Sequence, residues 1–329
     1  MVTGAGGSIG SELCRQIASY NPRRLLLLDQ SEVQLFLIEQ EMIELGYGGI
    51  ILPLVADVLD LPRMQFVCES FHPQVVFHAA AHKHVPMMES QPSEAIKNNS
   101  FGTAQVARLA VQYKSERFVL ISTDKAINPT NVMGATKRLA ETYIQALQAS
   151  NGGNTKLMAV RFGNVLGSSG SVIPTFHKQI AAGGPVKVTH PDVTRYFMTI
   201  PEAVGLVLQS GTQGTGGEIF VLDMGQPVRI IDLARQLIEL SGFKPDEDIA
   251  IEFVGLRPGE KLFEEISHKG ENIAPTIHPK IMRFVCEPTK LDLVQKQFDE
   301  LAANLSALEN NQLKLLLQKC VPEYQPFLS

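Results

Sequence analysis

Val2-Thr3-Gly4-Ala5-Gly6-Gly7-Ser8-Ile9-Gly10, running on into Ser11-Glu12-Leu13-Cys14-Arg15-Gln16-Ile17, is the stretch on which the fold turns. With glycines at this spacing, Gly4 permits a tight turn, Gly7 lets the backbone approach a pyrophosphate, and Gly10 lets the following helix pack on the strand. Ser8 and Ile9 open that helix, whose N-terminus faces phosphate charge. A glycine loop alone is weak evidence. It gains weight from Arg24-Leu25-Leu26-Leu27-Leu28-Asp29, a buried strand ending in an acid about 20 residues on, where a ribose contact is expected. A carboxylate at Asp29 accepts hydrogen bonds from a free 2'-hydroxyl and repels a 2'-phosphate, so NAD is favoured as cofactor. The competing account is a turn carboxylate, and Arg23 and Arg24 keep NADP as the second choice.

Outward from this loop, strand-like and helix-like segments alternate. Ile50 to Val55 reads as a third strand, followed by Asp57 and Val58 on the adenine side; a plain helix cap by Asp57 or Asp60 competes with that reading. Gln74 to Ala81 is a fourth, and Ala79, Ala80 and Ala81 are small enough for a cofactor to lie against the backbone. Lys83 and His84 follow in a polar loop and are expected near a substrate. His78, His82 and His84 lack the spacing of a zinc motif, so no metal is expected. Asn99 beside Gly102 predicts a kinked helix, with Asn99 bonded to neighbouring backbone and facing the cofactor.

The fifth strand, Arg117 to Ile121, ends in Ser122-Thr123-Asp124-Lys125. Charge at the carboxyl end of a buried strand is more often chemistry than packing, because ligands of open α/β sheets bind in the crevice there. A helix is expected over Ala135 to Leu147, with Met133 and Lys137 on one face at i and i+4. Leu157 to Asn164 makes a sixth strand. The fold class is therefore α/β, a doubly wound parallel sheet of the Rossmann type. A dinucleotide-binding domain is expected over 1–164. A smaller, interleaved C-terminal substrate-binding lobe is expected over 165–329, with a strand near 218–223 returning to the sheet and helices near Ile230 to Leu240 and Leu305 to Lys319. At the start of that lobe Asn164, Ser171 and Val172 are placed beside the substrate. Arg195 and the run Arg257-Pro258-Gly259-Glu260-Lys261 bring cationic groups suited to a diphosphate; surface salt bridges are the alternative, most of all for Lys261.

The chain of 329 residues is 44% hydrophobic and 19% charged, as in a globular protein, and its net charge of -5 gives no reason to expect nucleic acid as a partner. Four scattered cysteines suggest neither a disulfide framework nor a zinc site, and fit a reducing, cytoplasmic location. Three residues precede Gly4, against about 5 in an ordinary first strand, so upstream sequence, even a membrane anchor, is an open expectation.

Together, the glycine loop, Asp29 and Met133-x-x-x-Lys137 resemble the extended short-chain dehydrogenase/reductase superfamily. Ser122-Thr123-Asp124-Lys125, Asn164-Val165-x-Gly167-Ser168, Arg195-x-Phe197-Met198-Thr199 and the Arg257 to Lys261 run resemble its polysaccharide-biosynthesis branch, whose characterised members are UDP-N-acetylglucosamine 4,6-dehydratases. Met133 departs from the superfamily pattern, in which most members carry a tyrosine base there; a thioether exchanges no proton. The large membrane-anchored type of dehydratase is known for this methionine, and the sequence is similar to its catalytic domain. The resemblance implies Lys125 as base, Asp124 as acid, Thr123 as a hydrogen-bond partner of the substrate, Lys137 on the nicotinamide ribose and Met133 on the floor. It also implies a UDP-sugar substrate and a homo-oligomer paired through helices near 100–113 and 135–148. A 4-epimerase of the same fold is the nearest rival, although epimerisation needs no acid at C6. A non-catalytic dinucleotide sensor is the rival of another class.

Overall fold

The computed structural model describes residues 1–265 and 272–328. Its centre is a nine-stranded sheet. In chain order the strands are β1 (Val2–Thr3), β2 (Leu25–Asp29), β3 (Ile51–Val55), β4 (Val75–His78), β5 (Arg117–Ile121), β6 (Lys156–Arg161), β7 (Ile219–Leu222), β8 (Asn272–Pro275) and β9 (Ile281–Val285). Across the sheet they lie in the order β8-β9-β7-β6-β5-β4-β1-β2-β3. From β3 to β7 every pairing is parallel, whereas β9 runs antiparallel to both β7 and β8. The order 3-2-1-4-5-6 is that of dinucleotide-binding sheets, with the crevice where the winding reverses, between β1 and β4.

Four consecutive leucines can form β2 because both faces of the sheet are covered. Alternation sends Leu26 and Leu28 into one apolar layer, with Phe118, Leu120 and the helices Thr103–Gln112, Val132–Ser150 and Leu291–Asn304. Leu25 and Leu27 enter the other layer, with Val119 and the helices Ser8–Ser19 and Ile200–Gln213. At Gly10 a Cβ would lie 1.9 Å from the Gly4 carbonyl oxygen, so only glycine lets the first helix close on β1. A third apolar cluster, including Phe176, Ile180, Val186, Ile230 and Ile238, joins the helices Val172–Ala181 and Ile230–Leu240 to the parallel pair Val186–Val188 and Ile251–Phe253.

Several boundaries differ from expectation. β6 stops at Arg161, and Asn164–Val165 pairs instead with Phe197–Met198. The helix expected from Ala135 begins at Val132, because the Asn131 side chain accepts from Gly134 N at 2.8 Å and starts it three residues early. The helix expected from Leu305 begins at Asn310, where Glu309 and Gln312 form a capping box. An unexpected helix, Leu291–Asn304, precedes it and buries only Val294, Phe298 and Leu301. The expected kink takes the form of a π-helical turn over Ile96–Gly102.

Candidate active site

Two clefts lie along the carboxyl edge of the sheet. Gly4, Gly7, Asp29, Asp57, Val58 and Ala79 to Ala81 line the first. Asp29 accepts from Gly6 N through Oδ2 and from Ser31 N through Oδ1, each at 2.9 Å, so the acid also holds the glycine loop in shape. Asp57 accepts from Leu59 N, but the cap of the next helix is Asp60, which accepts from Arg63 N; Asp57 remains at the cleft wall. Ser8, Ile9 and Gly10 form the helix start beside the loop, and Ser8 Oγ accepts from Ser169 N at 3.2 Å.

Asn99 is not at the cleft surface as expected. It is fully buried, accepting from His82 N at 2.8 Å and donating to His82 O at 3.0 Å and Thr136 Oγ1 at 3.1 Å, so it braces the 82–84 loop from behind. Asn98, one position earlier in the π-helical turn, lines the cleft instead. Of the three histidines, His78 is buried between Thr3 Oγ1 and Thr103 Oγ1, at 2.7 and 3.1 Å. Burial, then the nearby Lys137 charge, lowers its pKa to about 3, so it stays neutral. His84 packs against Gly170 and Lys83 Nζ donates to Ser169 O at 2.6 Å, so the 82–84 loop and the 167–171 loop meet above the glycine loop. Burial lowers the pKa of Lys83, and burial with the Lys83 charge lowers that of His84. Ser171 caps the Val172–Ala181 helix start without a side-chain cap bond, and neither Ser171 nor Val172 lines either cleft.

Lys137 is 4% exposed, and among the described residues no hydrogen bond or ion pair reaches its ammonium. Burial brings its pKa down to about 8, against the raising influence of Glu141. An amine so largely withdrawn from water and given no partner among the described residues is costly to keep charged. Gly4, Gly6 and Gly10 leave no room for side chains and Ala79 to Ala81 form a small-residue wall, so the first cleft fits a bound dinucleotide, although Lys137 itself lines neither cleft.

The second cleft is lined by Lys125, Asn131, Arg195, Arg257, Glu260, Lys261 and Glu264. Lys125 Nζ lies 3.1 Å from Asp124 Oδ1, 3.3 Å from Asn164 Oδ1 and 3.0 Å from Glu264 Oε1. Thr123 Oγ1 donates to Asp124 Oδ1 at 2.9 Å, and Asp124 Oδ2 is buried with no partner among the described residues. Burial raises the Asp124 pKa, and the Glu264 charge adds to that against the pull of Lys125 and Thr123. For Lys125 burial opposes the charge, but Asp124 and Glu264 outweigh it and hold the ammonium well above the usual lysine range. Arg195, expected free for a diphosphate, is tied to Glu260 at 3.0 Å and Glu264 at 3.3 Å. Lys261 is not a surface pair: it is largely buried, donating to Ile127 O at 2.9 Å and to Glu265 at 2.7 Å.

Three supports fix this group in space. Gly134 is required where the Val132–Ser150 helix meets the Lys125 turn, since a Cβ there would sit 2.0 Å from Lys125 O. Glu141, on the same helix, is fully buried and receives Arg161 through two bonds of 2.8 and 2.7 Å and Ser122 Oγ at 2.6 Å. Glu89 accepts from Val132 N at 2.6 Å and pairs with buried Lys314 at 2.8 Å, joining the Asn310–Cys320 helix to the first turn that carries Met133. Glu264, Asn131 and Asn98 were not singled out from sequence. The signal for Glu264 is an acidic pair, Glu264-Glu265, beginning three residues beyond the cationic run, which reads equally well as a solvated helix face.

Residues 1–286 match the family described as Polysaccharide biosynthesis protein. The chain belongs to the polysaccharide biosynthesis protein family. It is 55% identical over 299 residues to the capsular polysaccharide biosynthesis protein CapD of Staphylococcus aureus, covering 89% of this chain and 49% of that protein. The chain thus spans about half the length of that relative. It is also 35% identical to a UDP-glucose 4-epimerase of Rickettsia prowazekii, over 81% of this chain and 76% of the epimerase. Among solved structures, Pen from Bacillus thuringiensis superposes with a TM-score of 0.81 at 34% identity, covering 88% of this chain and 89% of that one. The polysaccharide-biosynthesis resemblance and the doubly wound sheet read from the sequence therefore hold for the family. Among the described residues, no helix is long and apolar enough to cross a membrane.

Proposed function

We propose that this chain is the catalytic part of an NAD-dependent nucleotide-sugar 4,6-dehydratase acting on UDP-N-acetylglucosamine for surface polysaccharide synthesis. One observation carries the reading: a buried carboxyl, Asp124, hydrogen-bonded at 3.1 Å to the half-buried amine of Lys125, which lines the second cleft. Removing water across C5 and C6 needs an acid and a base side by side, and these two have their proton affinities pushed by their surroundings. The first cleft takes the dinucleotide, and the second, lined by Lys125 and Asn131 together with Arg257 and Lys261, takes the sugar nucleotide, with Arg257 toward the diphosphate.

When bound, NAD supplies a hydride acceptor for sugar C4 and returns the hydride to C6. The residues handle protons. The reacting form of the pair carries its single proton on Asp124, reached by shifting one proton from Lys125 Nζ across the 3.1 Å hydrogen bond. Burial of the pair favours the neutral amine and the neutral acid over the two charged forms. Lys125 then takes the C5 proton while Asp124 gives its proton to the departing C6 hydroxyl, so the C5–H and C6–O bonds break and water leaves. Lys125 returns its proton to C5 as hydride reaches C6. An Asp124 that already holds the proton for O6 cannot take the one from O4, which leaves through water at Thr123. Lys137 binds the nicotinamide ribose, and Met133, 5% exposed, seals the floor where a tyrosine would otherwise stand.

The epimerase relative supports a second reading, oxidation at C4 with hydride returned to C4. One experiment separates the two. Incubated with UDP-N-acetylglucosamine in deuterated water, a dehydratase yields a 4-keto-6-deoxy sugar, lighter by one water and deuterated at C5. A C4 epimer without deuterium would refute the dehydratase reading.

A further inference from the structure

Lys125 does not pair with Asp124 alone. Glu264, 8% exposed, reaches from the smaller lobe and spans two cations with one oxygen, Oε1, at 3.0 Å from Lys125 Nζ and 3.3 Å from Arg195 Nε. Its other oxygen, Oε2, is buried without a hydrogen-bond partner among the described residues, as is Asp124 Oδ2. Resting on the dehydratase reading for its consequence in turnover, we infer that Glu264 is a positioning residue for the acid–base pair: its carboxylate holds the Lys125 amine in place beside Asp124 Oδ1.

The charges around the pair fix what Glu264 does. Facing Lys125 are Asp124, Glu264, Arg195 and the Asn164 amide oxygen; facing Glu264 are Lys125, Arg195 and Lys261. Glu260 sits on the far side of Arg195, and Arg257 lines the same cleft. Burial would protonate Glu264, but Lys125, Arg195 and Lys261 keep it ionised. It is therefore a fixed negative charge within reach of both reacting groups. By Coulomb attraction it strengthens proton binding at Lys125, and by like-charge repulsion it strengthens proton binding at Asp124. Both effects have the same sign, so the whole pH window of the pair is set by Glu264. Because Arg195 shares the same oxygen, Lys125 is held in register with the Thr194–Arg195 strand.

The test uses the whole chain and two readouts. Trace acetylation by acetic anhydride across a pH series, read by peptide mass spectrometry against exposed Lys244, measures the neutral fraction of the Lys125 amine without any turnover. Glu264→Gln is expected to raise Lys125 labelling at pH 9 at least tenfold, and Glu264→Asp to stay near the parent; the aspartate variant also serves if the glutamine variant does not fold. In turnover, the pH profile of kcat/KM in Glu264→Gln is expected to move to lower pH by a unit or more on both limbs. Unchanged Lys125 labelling in Glu264→Gln, or a profile reduced in height but not displaced, overturns the inference. Increased labelling in a protein that forms no product from UDP-N-acetylglucosamine keeps the Glu264 assignment and rejects the dehydratase reading.

Discussion

Glu141→Gln is the most exacting test of how the site is held. The substitution keeps the shape of the side chain and removes its charge, so that the fully buried Arg161 loses the carboxylate that accepts two of its hydrogen bonds and Ser122 loses an ionised acceptor. Breaking a buried pair by removing one partner costs about 3–5 kcal/mol, because the remaining charge is left in a poor solvent. With an unfolding entropy of about 2.1 cal/mol/K per residue, a chain of 329 residues loses roughly 4–7 °C of melting temperature for that cost. Differential scanning calorimetry of the ligand-free protein measures it. The same pair gives a pH signature: burial opposes ionisation of Glu141, but Arg161, Arg138 and Ser122 outweigh it and depress the pKa. A carboxyl with a depressed folded-state pKa contributes stability above its unfolded value, near 4.3, and loses it as pH falls through the folded value. Glu141→Gln should therefore narrow the gap to the parent as the pH drops below about 4. Replacing both partners, Glu141→Leu with Arg161→Met, should recover most of the loss. A melting temperature within a degree of the parent at neutral pH would refute the reasoning.

Other expectations follow from the same geometry. Asp124→Asn and Lys125→Met should each lower kcat by about 10²–10⁴, measured by product formation from UDP-N-acetylglucosamine. Lys137→Met should raise the melting temperature of the ligand-free protein while weakening dinucleotide binding in calorimetric titration; a simultaneous loss of both would place Lys137 in the scaffold. Because the Lys137 pKa falls to about 8, the unfolded chain binds more protons between about 8 and 10.4, and this residue makes stability rise with pH over that window. Asp29→Asn should relax the preference for NAD over NADP and also loosen the glycine loop, seen as faster amide exchange at Gly6 and Ser31. Gly134→Ala should abolish turnover through displacement of the Lys125 turn, and an active variant with parent kinetics would show that the close approach is not needed.

Much of the sheet was legible because its signals are local. The leucine run of β2, the glycine loop and the apolar stretch of β5 each carry their own pattern, and the order of strands follows from alternation and handedness. Thr123, Asp124 and Lys125 stood out because charge ended a buried strand. What sequence did not yield depends on partners far along the chain. Glu264 gains its meaning from Lys125 and Arg195, and nothing in its own neighbourhood distinguishes it from Glu265. Asn99 and Asn98 are adjacent amides, and only the π-helical turn decides which one braces a loop and which one lines the cleft. The helix Leu291–Asn304 escaped notice because its buried positions are three among fourteen.

The bond between Glu89 and Lys314 also has a consequence in time. During synthesis, β1 to β5 and the Val132–Ser150 helix are made well before residue 314 exists, the last of them roughly 8–33 s earlier at ordinary elongation rates. Through that interval the carboxylate that anchors the Met133 turn has no counter-ion, so the nascent sheet can form while the start of that helix stays loose. The site is completed only when its late-made partner arrives, and a nascent chain arrested before residue 310 should bind dinucleotide in the first cleft yet show the Met133 turn open to protease.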